Sequence, residues 1–239
     1  MSKKAKLRIV QDFVNFNKDK PDGIYLYINQ DDVFNNYALI MGPENTPYFG
    51  GYYFFKIKFP YNYPDKPPDI QLLTTNKEVR FNPNLYECGK VCLSILGTWA
   101  GPGWKNVMNI TSTLLSVRSL LNEFPIVNEP GFEDTKQDDQ NSIDYNHYLI
   151  YYNYKIAIID ILNNLDKDEH IKVFKKNIIE EFKNNKQNLS DNLKSYQIIL
   201  GEKIVNRNTM YFIRKEHHLD FIELDEKFNK LIIKNNLEI

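Results

Sequence analysis

The chain has 239 residues, enough for one core of ordinary size plus a substantial appendage. Hydrophobic residues at 42% and charged residues at 26% are the balance of a folded globular protein, which excludes a disordered or fibrous chain. Lys and Arg (30) nearly cancel Asp and Glu (31), so nothing advertises a nucleic-acid binder, and a charged partner must meet a local patch.

No apolar run is long enough to span a membrane, and the opening MSKKAKLRIVQD is too polar for a secretory signal. Intracellular, cytoplasmic residence is therefore expected, with the nucleus also open to the protein. Residues 3–17 place Leu7, Val10 and Val14 at helical spacing among Lys3, Lys4, Lys6 and Arg8, which predicts a short amphipathic helix with a basic exposed face. Asp22-Gly23 breaks it. Three strand-like segments follow, at 25–28, 36–41 and 52–59; in the third, Tyr53, Phe55, Ile57 and Phe59 share one face and Lys56 and Lys58 the other. Short turns such as Gly42-Pro43-Glu44-Asn45 suit an antiparallel meander, which Pro64, Pro67 and Pro68 lead into a last short strand at 70–73.

From Arg80 to Trp104 there is almost no periodicity, and long ordered loops tend to carry function. Ile110, Leu114, Val117 and Leu121 then recur as one buried helical stripe. Beyond Asp134 the polar run TKQDDQNS reads as a passage into a second block. There Leu149, Tyr152, Ile156 and Ile159 form one helical stripe, Ile171, Phe174, Ile178 and Phe182 another, and Phe221, Leu224, Phe228 and Leu231 a third. The expected organisation is a core at 1–134 and a mainly helical extension at 135–239 packed on it.

Two cysteines, Cys88 and Cys92, cannot build a disulfide framework, which makes a single reactive thiol worth testing. A lone cysteine is more often a buried structural thiol. The stretch from Phe81 to Leu96, FNPNLYECGKVCLSIL, reverses those odds: it resembles the active-site loop of ubiquitin-conjugating (E2) enzymes, with Asn84 eight residues before Cys92 as in that family. The likeness continues through IMGPENTPYFGGYYFFKIKFP, the YPDKPP element at 63–68 and the tryptophan-containing loop before residue 110.

The resemblance implies an α+β UBC-like fold: an N-terminal helix, a four-stranded antiparallel meander sheet, the active-site loop and a further helix, followed here by the helical extension. It implies that Cys92 accepts ubiquitin or a ubiquitin-like modifier from an E1 activating enzyme as a thioester. The modifier then passes to a substrate lysine or the cysteine of an E3 ligase. A thiol both attacks and leaves readily, and lysine attack creates an oxyanion that needs a fixed donor; Asn84 is the implied donor or the residue ordering the loop. Glu129, in Asn128-Glu129-Pro130, falls where the family uses an acidic residue to orient or deprotonate the acceptor. Lys3, Lys4, Lys6 and Arg8 lie on the face that meets E1. No metal or organic cofactor is expected, ATP being consumed at the E1 stage, and no nucleic acid or membrane partner.

The chain also departs from the family pattern. Asn82 replaces the usual histidine of the His-Pro-Asn element, so the loop is expected to survive with different hydrogen bonds. Asp65 and Asn106 stand where the family meets its ligases with an aromatic residue and a proline, which argues against ordinary RING partnership. The long loop GTWAGPGW (97–104), CLSIL, the NEPGFE segment (128–133) and the extension are similar to the Use1-type (E2 Z) subfamily, which accepts a second modifier besides ubiquitin. A SUMO-type E2 and a non-catalytic E2-variant scaffold are the alternatives. GPGW and the extension weigh against the first, Cys92 and Asn84 against the second. Trp99 and Trp104 are expected to anchor the loop locally, and His170, His217 and His218 to sit on a solvated surface.

Overall fold

The structure is a computed structural model describing residues 3–205, 212–213 and 216–234; the rest of the block expected to be helical lies outside the described residues. The chain divides into two compact units, Met1–Gly42 with Tyr53–Asn122, and Pro43–Tyr52 with Glu123–Ile239. The second unit thus borrows residues 43–52 from the middle of the meander and begins at Glu123, ahead of the composition change after Asp134.

The first unit opens with helix α1 (Lys3–Lys18) and continues as strands β1 (Ile24–Tyr27), β2 (Asn35–Met41), β3 (Tyr52–Lys58) and β4 (Asp69–Leu72) in spatial order β1-β2-β3-β4. Pairing is antiparallel, with Ile24 opposite Ile40 in the first pair and Phe55 opposite Leu72 in the last. Lys56 and Lys58 are exposed while Phe55 and Ile57 are buried, the alternation expected of β3. Helix α2 (Ile110–Arg118) starts at a reciprocal cap in which Asn109 Oδ1 accepts the Ser112 N–H (2.9 Å) and Ser112 Oγ accepts the Asn109 N–H (3.1 Å). It buries Ile110, Leu114 and Val117.

Helix α1 corrects one expectation. Its buried residues are Ala5, Ile9, Asp12, Phe13 and Phe16, whereas Leu7 (62%), Val10 (47%) and Val14 (57%) are exposed beside the lysines. Both stripes have helical spacing, and the one carrying two aromatic rings removes more apolar area from water.

The second unit is built on α3 (Gln140–Tyr152), which runs through a π-helical stretch (Asn153–Asp160) into α4 (Ile161–Asn163). Short α5 (Glu169–Lys172) and long α6 (Lys175–Leu200) follow, then β5 (Glu202–Val205) antiparallel to β6 (His217–Asp220), then α7 (Phe221–Lys234). All three predicted stripes are buried. Phe228 on α7 meets Phe182 on α6 and Tyr154 edge-on, with ring centroids 6.1 and 5.8 Å apart. The borrowed segment is woven into this core: Asn153 Nδ2 donates to the Phe49 carbonyl (2.9 Å) and the Tyr52 hydroxyl to that of Ile178 (3.3 Å). Gly50 has φ 72°, and a Cβ there would lie 2.6 Å from Leu189 Cδ2, so the contact requires glycine. No helix among the described residues is long and apolar enough to cross a membrane.

Candidate functional site

The long loop of the first unit folds into a small hairpin. Leu85 bridges Val91, Tyr86 N–H donates to the Lys90 carbonyl (3.0 Å), and the tip carries Cys88, which is exposed. Leu72 N–H donates to the Gly89 carbonyl (2.8 Å), tying the hairpin to β4. Gly89 has φ 88°, and a Cβ there would lie 2.5 Å from the Leu72 carbonyl oxygen, so no other residue fits.

This arrangement delivers Asn84 to Cys92. Cys92 N–H donates to the Asn84 carbonyl (2.8 Å), and Asn84 Nδ2 donates back to the Cys92 carbonyl (2.7 Å). Asn82 is fully buried: its Oδ1 accepts the Asn84 N–H (2.8 Å) and its Nδ2 donates to the Leu120 carbonyl (2.7 Å), fastening the loop just beyond α2. Asn82 therefore orders the loop through both ends of its side-chain amide. Cys92 is 1% exposed.

After Cys92 the chain makes one 3-10 turn (Ser94–Leu96) and returns. Thr98 Oγ1 accepts the Leu93 N–H (2.9 Å) and lies 2.7 Å from the Val91 carbonyl and 3.2 Å from that of Leu93, the two acceptors open to its proton. Thr98 was invisible to sequence reasoning, because a hydroxyl in an aperiodic glycine-rich loop carries no positional signal. Trp104 does anchor the loop, its Nε1 donating to the Pro64 carbonyl (2.6 Å), whereas Trp99 is 43% exposed.

Asp65 and Asn106 are brought together, Asn106 Nδ2 donating to Asp65 Oδ1 (3.1 Å), and both are exposed. Arg8 belongs to their neighbourhood: its guanidinium donates to the Asn106 (2.9 Å) and Met108 (2.6 Å) carbonyls and pairs with Asp12 (2.8 Å). It also lies over the Tyr63 ring, 5.5 Å from the centroid. The Tyr63 hydroxyl donates to Asp12, and burial followed by that bond holds its pKa above the ordinary phenol range. Arg8 is thus tied down, while Lys3, Lys4 and Lys6 remain exposed along α1.

Glu129 belongs to the second unit, where it follows the 3-10 turn Pro125–Asn128; its N–H donates to the Ile126 carbonyl (3.0 Å) and its side chain is buried. His217 departs from expectation: it is 4% exposed, and its Nδ1 shares a 2.7 Å hydrogen bond with the Tyr152 hydroxyl. Among the described residues no group of three or more His, Cys, Asp or Glu could hold a metal ion.

Residues 8–146 match the family model described as ubiquitin-conjugating enzyme. Ubiquitin-conjugating enzyme E2 Z of Xenopus tropicalis is 42% identical over 162 residues, covering 67% of this chain and 51% of the relative. E2 Z of Homo sapiens is 43% identical over 157 residues, 65% of this chain and 44% of the relative. A probable ubiquitin-conjugating enzyme E2 of Acanthamoeba polyphaga mimivirus is 36% identical over 175 residues, 68% of this chain and 12% of the relative. The chain spans about half the length of the E2 Z relatives it matches.

Proposed function

We propose that this chain, which belongs to the ubiquitin-conjugating enzyme family, carries ubiquitin or a related modifier as a thioester on Cys92 and passes it to an amine. The single observation that carries the reading is the reciprocal pair between Cys92 and Asn84, which holds the backbone of a cysteine against an amide donor inside a loop closed by Asn82. In the first step Cys92 sulfur attacks the carbonyl of the E1 thioester; a new C–S bond forms, the old one breaks, and the E1 thiol leaves with the proton that Cys92 gives up. In the second, a lysine ε-amine attacks the same carbonyl, the C–N bond forms, the C–S bond breaks, and the amine's proton is shed as the Cys92 thiol is restored. The tetrahedral oxyanion formed as the amine attacks, before the C–S bond breaks, calls for a donor, and Asn84 Nδ2 is a side-chain amide within reach of the Cys92 backbone.

Glu129 is proposed to orient or deprotonate the incoming amine. Lys3, Lys4 and Lys6 form the E1-facing side of α1, with Arg8 holding that helix to the loop at 106–108. Asp65 and Asn106 together form the ligase-facing surface; a paired carboxylate and amide there disfavour a partner that presents an apolar side chain. The setting proposed is the cytoplasm and nucleus, and the pathway ATP-dependent through E1.

The test is Cys92→Ser incubated with a panel of E1 enzymes and modifiers. The expected product is an oxyester that survives thiol reductant, where the wild-type adduct is released by it. A reductant-sensitive adduct in the variant moves the site to Cys88, the other cysteine of the chain.

A further inference from the structure

The direction of the Cys92 Cα–Cβ bond, which carries the sulfur, is set by two backbone torsions, and these are fixed by the peptide planes on either side of its Cα. Each plane has two edges that can be held. The plane before Cys92 carries the Val91 carbonyl and the Cys92 N–H; the plane after it carries the Cys92 carbonyl and the Leu93 N–H. Asn84 holds one edge of each, its carbonyl on the Cys92 N–H (2.8 Å) and its side-chain amide on the Cys92 carbonyl (2.7 Å). Thr98 Oγ1 stands at the other edge of each, accepting the Leu93 N–H (2.9 Å) and facing the Val91 carbonyl at 2.7 Å. A second strut comes from the Thr98 N–H, which donates to the Leu93 carbonyl (3.2 Å).

We infer that Thr98 is a positioning residue for the nucleophile, clamping both peptide planes through one hydroxyl from the side opposite Asn84. The inference rests on Cys92 being the thioester carrier. Thr98 complements Asn84, whose NH2 has two N–H bonds, one on the Cys92 carbonyl and the other left for an oxyanion. Any strain that the oxyanion puts on the Asn84 bond is met at the Leu93 edge of the same plane, where Thr98 holds the thioester's backbone in place. The hydroxyl works as acceptor and donor at once, which serine reproduces and valine, of nearly the same shape, does not. Thr98 is solvent-exposed, so its hydrogen bonds add little to global stability and the substitutions leave the fold in place.

The experiment uses the full chain charged with modifier on Cys92 and then freed of E1 activity, with free lysine as the acceptor. For Thr98→Val, kcat for discharge is expected to fall about tenfold, the scale of a modest misalignment of reacting groups. The KM for lysine and the melting temperature should stay unchanged. Thr98→Ser should return kcat to within about twofold of wild type. Discharge of Thr98→Val at the wild-type rate overturns the inference. So does Thr98→Ser discharging as slowly as Thr98→Val, which would make the methyl group and not the hydroxyl the working part. A fall in kcat matched by a lowered melting temperature in both variants also overturns it, the residue then being a loop fastener. Failure of the wild-type chain to form a reductant-sensitive adduct on Cys92 is a separate result, and it removes the carrier reading itself.

Discussion

The Asn84 side-chain amide has two N–H bonds, one held by the Cys92 carbonyl and one for the proposed oxyanion. At rest Nδ2 donates to the Cys92 carbonyl, while the Asn84 backbone N–H is turned inward by Asn82 Oδ1. Removing the side-chain amide takes away the proposed oxyanion donor and one grip on the Cys92 plane, so Asn84→Ala should discharge to lysine about a hundredfold more slowly while still accepting modifier from E1. Glu129→Gln, tested alongside it, should slow discharge by about tenfold or more, again with E1 charging intact, because the acceptor's proton must leave only in the second step. Single-turnover rates for the two steps provide the check. Wild-type discharge by Asn84→Ala would reduce Asn84 to loop ordering, and wild-type discharge by Glu129→Gln would withdraw the role proposed for Glu129.

At the scale of elements, strands and the later helices were legible wherever a segment offered one apolar face. The alternation of Phe55, Lys56, Ile57 and Lys58 can be buried in one way only, and β3 obeys it. Helix α1 was ambiguous because Leu7-Val10-Val14 and Ile9-Phe13-Phe16 both have helical spacing, and what decides between them is the surface offered by the rest of the chain. The β5–β6 hairpin, with Ile204 opposite His218, was hidden inside a region that otherwise reads as helix. Of the proposed site residues, Cys92 and Asn84 are read from their interval in a family motif, and the structure hydrogen-bonds them to each other. Thr98 was not legible, because its role depends on a loop returning to where the backbone already lies. Helix α3 yields a pH prediction. His147 keeps Nδ1 buried without a hydrogen-bond partner, and its pKa is pushed down to about 4, first by burial and then by Lys203, with Asp144 opposing. Between the ordinary histidine value of 6.5 and about 4, the unfolded chain takes up a proton that the folded chain refuses, so stability is lost as pH falls through that window. His170, lowered by burial, acts in the same direction, and Asp160, raised by burial, against it. For His147→Gln the fall in melting temperature across this window should be smaller by about 2–4 °C, the effect of about 1 kcal/mol in a chain of this size once solvent screening of a half-exposed ring is allowed for. Paired melts at the two ends of the window decide it, and an unchanged fall would clear His147 of the acid limb.

At the scale of the whole molecule, the boundary between units does not follow the chain. Residues 43–52 leave the meander, pack among the helices of the second unit and return as β3. Asn153 holds the Phe49 carbonyl, the Tyr52 hydroxyl reaches the Ile178 carbonyl, and Leu189 fills the space that a side chain on Gly50 would need. Tyr48 and Tyr52 are both buried. A fragment ending at Asp134 keeps this segment but loses every helix that covers it. Uncovering the two tyrosines and their neighbours costs about 1.5–3 kcal/mol for each large apolar side chain, and each stranded buried hydrogen-bonding group adds about 1–3 kcal/mol. Such sums are comparable with the whole stability of an ordinary domain, about 5–15 kcal/mol. The 1–134 fragment should therefore melt well below the full chain and aggregate through its exposed aromatic surface. Restoring the helices as a separate 135–239 polypeptide should not rescue it fully, because that piece lacks residues 43–52 and 123–134 of its own unit. Comparing melting temperature and E1 charging of the full chain with those of the fragment is the measurement. Equal stability, with charging by the same E1 enzymes at the same rates, would mean that the helices are dispensable to the segment they surround and that 135–239 is an independent module.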